Sequence, residues 1–355
     1  MNSKMQAGNC RSETKRLRLL ALWALCALLA CSCNALFMDE QKPSTAKNNF
    51  DLLWKIMDER YCFFEEKKVD WNQMRARYWN ELSRDGRMPE ADSPHLFHVM
   101  ANMLEELRDG HVSLSDGFTT RSFTGWYSAY PDNFNPSRIH AYRNSDRNTR
   151  YLANGASISV LPESIGYVRS PSFSDKFNRY ELDDAMARLE GLKGVIIDVR
   201  SNGGGLVSEA YLLASRFARE RTHVGYVRYK TGKGHNDFSS LFARYAEPDG
   251  ASPFHGNVVV LTNRKVYSAA NLFVSIMSNL PQVRIMGDDT GGGGGVPISA
   301  ELYNGWTLKL STNPVFDVNE KSIESGIEPH IRVALNRDGQ ADNIIEAAKK
   351  WILEN

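Results

Sequence analysis

Cysteine is scarce in this chain: five in 355 residues, two of them (Cys10 and Cys26) within the first thirty. Cys62 reads as part of an apolar helix, so a disulfide framework is not what holds this fold together. An excess of charge of one sign is also missing. Forty-three Lys and Arg face 42 Asp and Glu, for a net charge of +1, so no basic surface points to nucleic acid. The apolar run from Leu19 to Ala30 is too short to cross a bilayer as a permanent helix. Internal repeats and low-complexity tracts are absent. The glycine run Gly291 to Gly295 is not followed by Lys-Ser or Lys-Thr, which excludes a nucleotide-binding P-loop.

What is present begins with Lys4, Arg11, Lys15, Arg16 and Arg18 ahead of the apolar run. That order predicts a secretory signal peptide over residues 1–30. Leu28-Leu29-Ala30-Cys31 resembles a bacterial lipobox, which makes Cys31 the acylated residue and residues 31–48 a tether from lipid to domain. The expected location is then the bacterial cell envelope, as a periplasmic or outer-membrane lipoprotein. An ordinary signal peptide with an incidental cysteine is the alternative. Removing residues 1–30 moves the net charge to about −3.

Apolar residues at helical spacing predict a bundle over residues 49–115. Phe50, Leu53, Trp54, Met57, Tyr61 and Phe64 form one stripe, and Trp71, Met74, Tyr78 and Leu82 form a second after the cap Asp70. A third, with Leu96, Val99, Met100, Met103 and Leu107, opens at Ser93-Pro94 and stops at Asp109-Gly110. These stripes read as packing surface. Residues 116–157 are polar and weakly periodic, an irregular connection with short strands. Strands and helices then alternate through an α/β domain over residues 158–340, and residues 341–355 close the chain as a helix.

Two segments of that domain place chemistry on a strand-to-helix turn. In VVVLTNRKVYSAANLFVSIM, a buried strand (Val258 to Leu261) leads through a polar turn to Ser268 and a helix from Ala269. An isolated serine at such a turn reads first as a helix cap. In GVIIDVRSNGGGLVSEAYLLASRFA, a strand leads into Gly203, Gly204 and Gly205, which permit positive φ and close approach of backbone N–H groups to a ligand. Paired with that loop, Ser268 reads as a nucleophile facing unpaired helix N-terminal amides.

The strings DVRSNGGG, VYSAAN, GDDTGGGGG and GIEPHI together resemble the S41 family of serine peptidases, which includes the carboxy-terminal-processing (tail-specific) proteases and the tricorn core. The resemblance runs from about Phe50 to Val333 and implies a ClpP/crotonase-like α/β core behind a helical bundle. Only about fifty residues separate His111 from Ile165, too few for the PDZ domain that many tail-specific members insert there, so none is expected.

A serine hydroxyl needs a base within reach. In the tail-specific branch that base is a lysine in a G-x-x-T-x-G-K-G context, but here Gly293 occupies its place. The tricorn-like branch uses histidine, oriented by glutamate. His111, in LEELRDGHVSL, stands on the connection between bundle and core where that branch places its base. The resemblance then implies Glu324, shortly before Gly326-Ile327, as the third member, with Glu320 as a competitor. Gly203 or Gly204, together with Ala269, would form the oxyanion hole.

The resulting expectation is a Ser-His-Glu peptidase that cuts unfolded or tail-exposed polypeptides through an acyl-enzyme, with no metal or cofactor and a membrane contact only through Cys31. The alternative is a non-catalytic protein on the same scaffold that binds peptides or lipophiles. The distance between Ser268 and His111 discriminates the two.

Overall fold

The computed structural model describes residues 42–84, 86, 88–142, 149–249 and 253–355. The segment expected to be a signal peptide (residues 1–30) and Cys31 lie outside the described residues. The first three helices are α1 (Ala46–Arg60), α2 (Trp71–Leu82) and α3 (Pro94–Glu105). Each starts where a side chain takes up an orphan backbone N–H: Thr45 receives that of Asn48, Asp70 that of Gln73 and Ser93 that of Leu96. The expected stripes form the bundle's interior, and Phe50, Leu53, Met57, Trp71, Leu96 and Met100 are buried. Cys62 and Phe64 fall in the turns just beyond α1 rather than on it.

Past α3 the chain forms β1 (Ser113–Ser115), β2 (Thr120–Ser122), a single turn α4 (Gly125–Ser128), β3 (Arg150–Tyr151), β4 (Ser157–Leu161) and β5 (Ile165–Arg169). Helices and strands then alternate: α5 (Arg179–Ala187), β6 (Gly194–Asp198), α6 (Val207–Ser215), β7 (Thr222–Val227), β8 (Phe242–Ala246), β9 (Asn257–Thr262), α7 (Ala269–Ser278) and β10 (Val283–Gly287). The chain ends with β11 (Gly295–Glu301), β12 (Thr307–Phe316), β13 (Ile331–Arg332) and α8 (Asn343–Glu354).

One sheet runs β13-β10-β9-β6-β5-β4-β3, parallel from β13 to β5. Helices α5, α6 and α7 cover one face, where Ala210, Leu213, Phe273 and Ile276 meet Val195, Ile197, Val258 and Val260. Helix α8 covers the other, with Ile344, Ile345 and Ile352 against Ile196 and Val259. Strands buried on both sides must be apolar at every position, which accounts for the unbroken runs in β6 and β9. At the N-cap of α8, Asp342 also pairs with the fully buried Arg200 at 2.9 Å, tying the last helix to the turn after β6.

The second sheet, β2-β1-β12-β7-β8 with β11 also on β12, is antiparallel. The bundle packs on it, since Leu114, Trp306, Leu308 and Leu310 belong to the same core as α1 to α3. The bundle is therefore continuous with the sheet that flanks the α/β layer. Between His111 and Ile165 the described residues contain short elements only, and no PDZ domain.

Candidate active site

Strands β6 and β9 are parallel neighbours, so the turns leaving their carboxyl ends emerge side by side, where α/β sheets place their chemistry. The glycine loop leaves β6, and Ser268 lies beyond β9. Ser268 adopts φ 57° and ψ −125° and makes no side-chain capping bond, so the cap reading fails. For a residue with a Cβ this backbone is strained, and it persists only because its surroundings hold it. Here the Ser268 N–H donates to the Gly292 carbonyl at 2.9 Å and the Ser268 carbonyl accepts from Leu272 in α7 at 2.9 Å.

His111 reaches this serine from the bundle side. Its Nε2 lies 2.8 Å from Ser268 Oγ across 157 positions of sequence. Gly110 permits the approach, because a Cβ there would fall 2.5 Å from Trp126 Nε1 and 2.8 Å from the Tyr267 hydroxyl. The Tyr267 ring packs against the imidazole at 4.9 Å, with Trp126 stacked behind it at 4.1 Å. Burial lowers the His111 pKa to about 4; the Asp109 carboxylate opposes that shift and Lys309 adds to it. At neutral pH the ring is therefore uncharged and Nε2 is available to accept a proton. His111 Nδ1 makes no hydrogen bond among the described residues.

Glu324 is buried, as a site residue would be, but its oxygens are engaged elsewhere. Oε1 pairs with Lys67 at 2.9 Å and Oε2 accepts the Gly294 N–H at 2.9 Å. The expected contact between Glu324 and the imidazole is thus replaced by one to the glycine run and one to the bundle. Burial, reinforced by the nearby Asp109 charge, pushes the Glu324 pKa up to about 8 against the pull of Lys67 and the amide. Glu320 is exposed in a turn and does not compete.

Two groups were not anticipated. Lys67 sits on the turn after α1 and also donates to the Arg108 carbonyl at 3.2 Å; in the string EEKKVD it reads as surface charge. Asp109, 1% exposed, accepts the His111 backbone N–H on Oδ1 at 2.8 Å and the Ser311 and Tyr61 hydroxyls on Oδ2 at 2.9 and 3.2 Å. Adjacency to His111 was the available signal for it.

The expected oxyanion donors divide. Asn202 Oδ1 takes the Gly204 N–H at 2.9 Å, which removes Gly204 as a donor. The Gly203 and Ala269 N–H groups make no hydrogen bond among the described residues and remain free to bind a developing oxyanion. Gly204 is instead required sterically, since a Cβ would lie 2.8 Å from Ser268 Cβ.

The glycines Gly291 to Gly295 are all buried, so they form a tightly packed wall rather than a slack one. At Gly293, φ is +82° and a Cβ would fall 2.6 Å from Tyr267 Cζ and 3.0 Å from the Ser268 nitrogen. Tyr267 thus fills the space that a side chain at Gly293 would enter. Asn271 joins three of the motif strings. Its amide donates to the Ile323 carbonyl at 2.9 Å, its oxygen accepts from Thr290, and Thr290 Oγ1 accepts the Ile327 N–H at 2.7 Å.

Residues 164–333 match the profile of peptidase family S41, and residues 43–104 match the tricorn protease C1 domain. A solved candidate peptidase from Parabacteroides merdae is 41% identical, covering 88% of this chain and 98% of that one, with a TM-score of 0.79. Mature CPAF shares the fold at 14% identity and a TM-score of 0.65, covering 86% of this chain and 96% of that one. The carboxy-terminal processing protease CtpA of Bacillus subtilis is 29% identical over 175 residues, which are 48% of this chain and 35% of that protein. The chain thus spans about a third of the length of the curated relatives it matches.

Proposed function

The chain belongs to peptidase family S41, and on that premise we propose that it is a serine peptidase whose reacting pair is Ser268 and His111. The observation that carries this reading is the 2.8 Å contact between His111 Nε2 and Ser268 Oγ. It lies within the reach required of a general base and its nucleophile, and the same distance argues against the non-catalytic alternative.

Ser268 Oγ attacks a peptide carbonyl carbon while His111 Nε2 takes its proton. The carbonyl oxygen, now negative, is held by the Gly203 and Ala269 N–H groups. His111 returns the proton to the departing amine, leaving an acyl-Ser268 ester. Water then attacks that ester, again deprotonated by His111, and Ser268 is released. Every step is a proton or acyl transfer among these groups. Glu324 supports the pair indirectly, by fixing Gly294 and therefore the wall that accepts the Ser268 N–H. The substrates are unfolded or tail-exposed polypeptides, and the location is the bacterial envelope through lipid on Cys31.

Purified protein is expected to label with a fluorophosphonate at Ser268 and to cleave unfolded polypeptide, with both lost in Ser268→Ala and reduced at least about a thousandfold in His111→Ala. Equal cleavage by Ser268→Ala and the parent would refute the reading. Metabolic labelling with a fatty-acid analogue, lost in Cys31→Ala, tests the anchor separately.

A further inference from the structure

Asp109 lies two residues before the base, and its carboxylate gathers three parts of the fold. Oδ1 accepts the His111 backbone N–H at 2.8 Å. Oδ2 accepts the hydroxyl of Tyr61, at the end of α1, and that of Ser311, on β12. The group is 1% exposed. A buried charge persists only where its hydrogen-bonding capacity is met, and here the donors come from the bundle, the second sheet and the residue that carries the base.

We propose that Asp109 is the positioning residue of the His111 base, clamping its backbone through Oδ1 and supplying the fixed negative charge that the transient imidazolium faces. The inference rests on His111 being the base. When Ser268 Oγ passes its proton to Nε2, the ring becomes positive in a buried site, and a carboxylate held two residues away offsets part of that cost without reorganising. The other charges nearby point elsewhere or oppose it. Lys309 on β12 disfavours the charged ring, and Glu324 is engaged with Lys67 and Gly294. Because the clamp's outer donors are Tyr61 and Ser311, docking of the bundle onto β12 is communicated to the imidazole.

Two variants separate charge from clamp. Asp109→Asn keeps an oxygen for the His111 N–H and removes the charge. It is expected to lower kcat at least about tenfold with KM little changed, and to move the acidic limb of the kcat/KM profile to lower pH, since about one unit corresponds to a tenfold loss of imidazolium stabilisation. The double variant Tyr61→Phe, Ser311→Ala keeps the charge and frees the carboxylate. It is expected to lose about three- to tenfold in kcat with the acidic limb unmoved.

Rates are normalised to the fraction of protein folded by circular dichroism. Asp109→Asn with parental kcat and an unshifted limb would overturn the proposal. If that variant does not fold, the double variant decides: parental kcat in it overturns the clamp, and the expected loss upholds it. Failure of His111→Ala to reduce cleavage would instead sink the reading beneath, whatever the Asp109 variants do.

Discussion

Lys67 Nζ stands 2.9 Å from Glu324 Oε1, joining the turn after the first helix to a loop 257 positions downstream, with side chains 17% and 4% exposed. The carboxyl is so desolvated that its proton is held up to about pH 8 even beside this cation. A carboxyl whose pKa is raised on folding stabilises the fold fully below its unfolded value of about 4.5, and that stability is lost as pH rises through the folded value. The melting temperature is therefore expected to fall between about pH 4.5 and 8. Lys67→Met should extend that fall to higher pH without steepening it, and Glu324→Gln should flatten it. An unaltered slope in Glu324→Gln, followed by thermal melts across pH, would contradict the assignment.

With His111 as the proposed base, its burial is expected to set the acid side of activity. Its pKa, lowered to about 4, keeps the base deprotonated well below the usual imidazole range. The kcat/KM profile is expected to hold its plateau down to about pH 5 and to drop with a midpoint near 4. The same shift makes His111 stabilising above pH 6.5, a contribution lost as pH falls through about 4. A midpoint near 6.5 for cleavage of an uncharged peptide would show a solvated ring.

Restoring a side chain at Gly293 is expected to harm the protein. With φ at +82° and Tyr267 Cζ 2.6 Å from a new Cβ, Gly293→Ala should cost about 2–4 kcal/mol of stability. It should also slow fluorophosphonate labelling, because the displaced Tyr267 adjoins both His111 and Ser268. Gly293→Lys should behave as badly, with no dyad activity gained. Thermal denaturation and labelling rate report the two effects.

Asn271→Ala removes a partner from the buried Thr290 hydroxyl and from the Ile323 carbonyl. A loss of about 2–4 kcal/mol is expected, the cost of unsatisfied buried polar groups plus a small cavity. Because Ile323 precedes Glu324, the pH dependence ascribed to Glu324 should weaken as well. Urea denaturation at pH 6 and pH 8.5 measures both.

Much of this was legible in the chain. Apolar stripes with capping residues at Asp70 and Ser93 placed the helices, because amphipathic burial and orphan N–H groups leave local traces. Unbroken apolar runs gave β6 and β9, and Ser268 and His111 were named as a pair. What stayed hidden depends on contacts between distant segments. Nothing around Lys67 signals that its ammonium is drawn inward. The Gly204 N–H reads as an oxyanion donor until the Asn202 side chain is seen to occupy it. Glu324 was expected to orient the imidazole, but its oxygens meet Lys67 and Gly294 instead, partners that approach it only through tertiary packing.

The 157 positions between His111 and Ser268 carry a consequence for the life of the molecule. Under the proposed chemistry, the nucleophile and its proton acceptor lie on segments that meet only through tertiary folding. A polypeptide still emerging from the ribosome carries the imidazole before the segment with Ser268 has been made and packed against it. On that reading, competence to cut waits until both segments are synthesised and folded together.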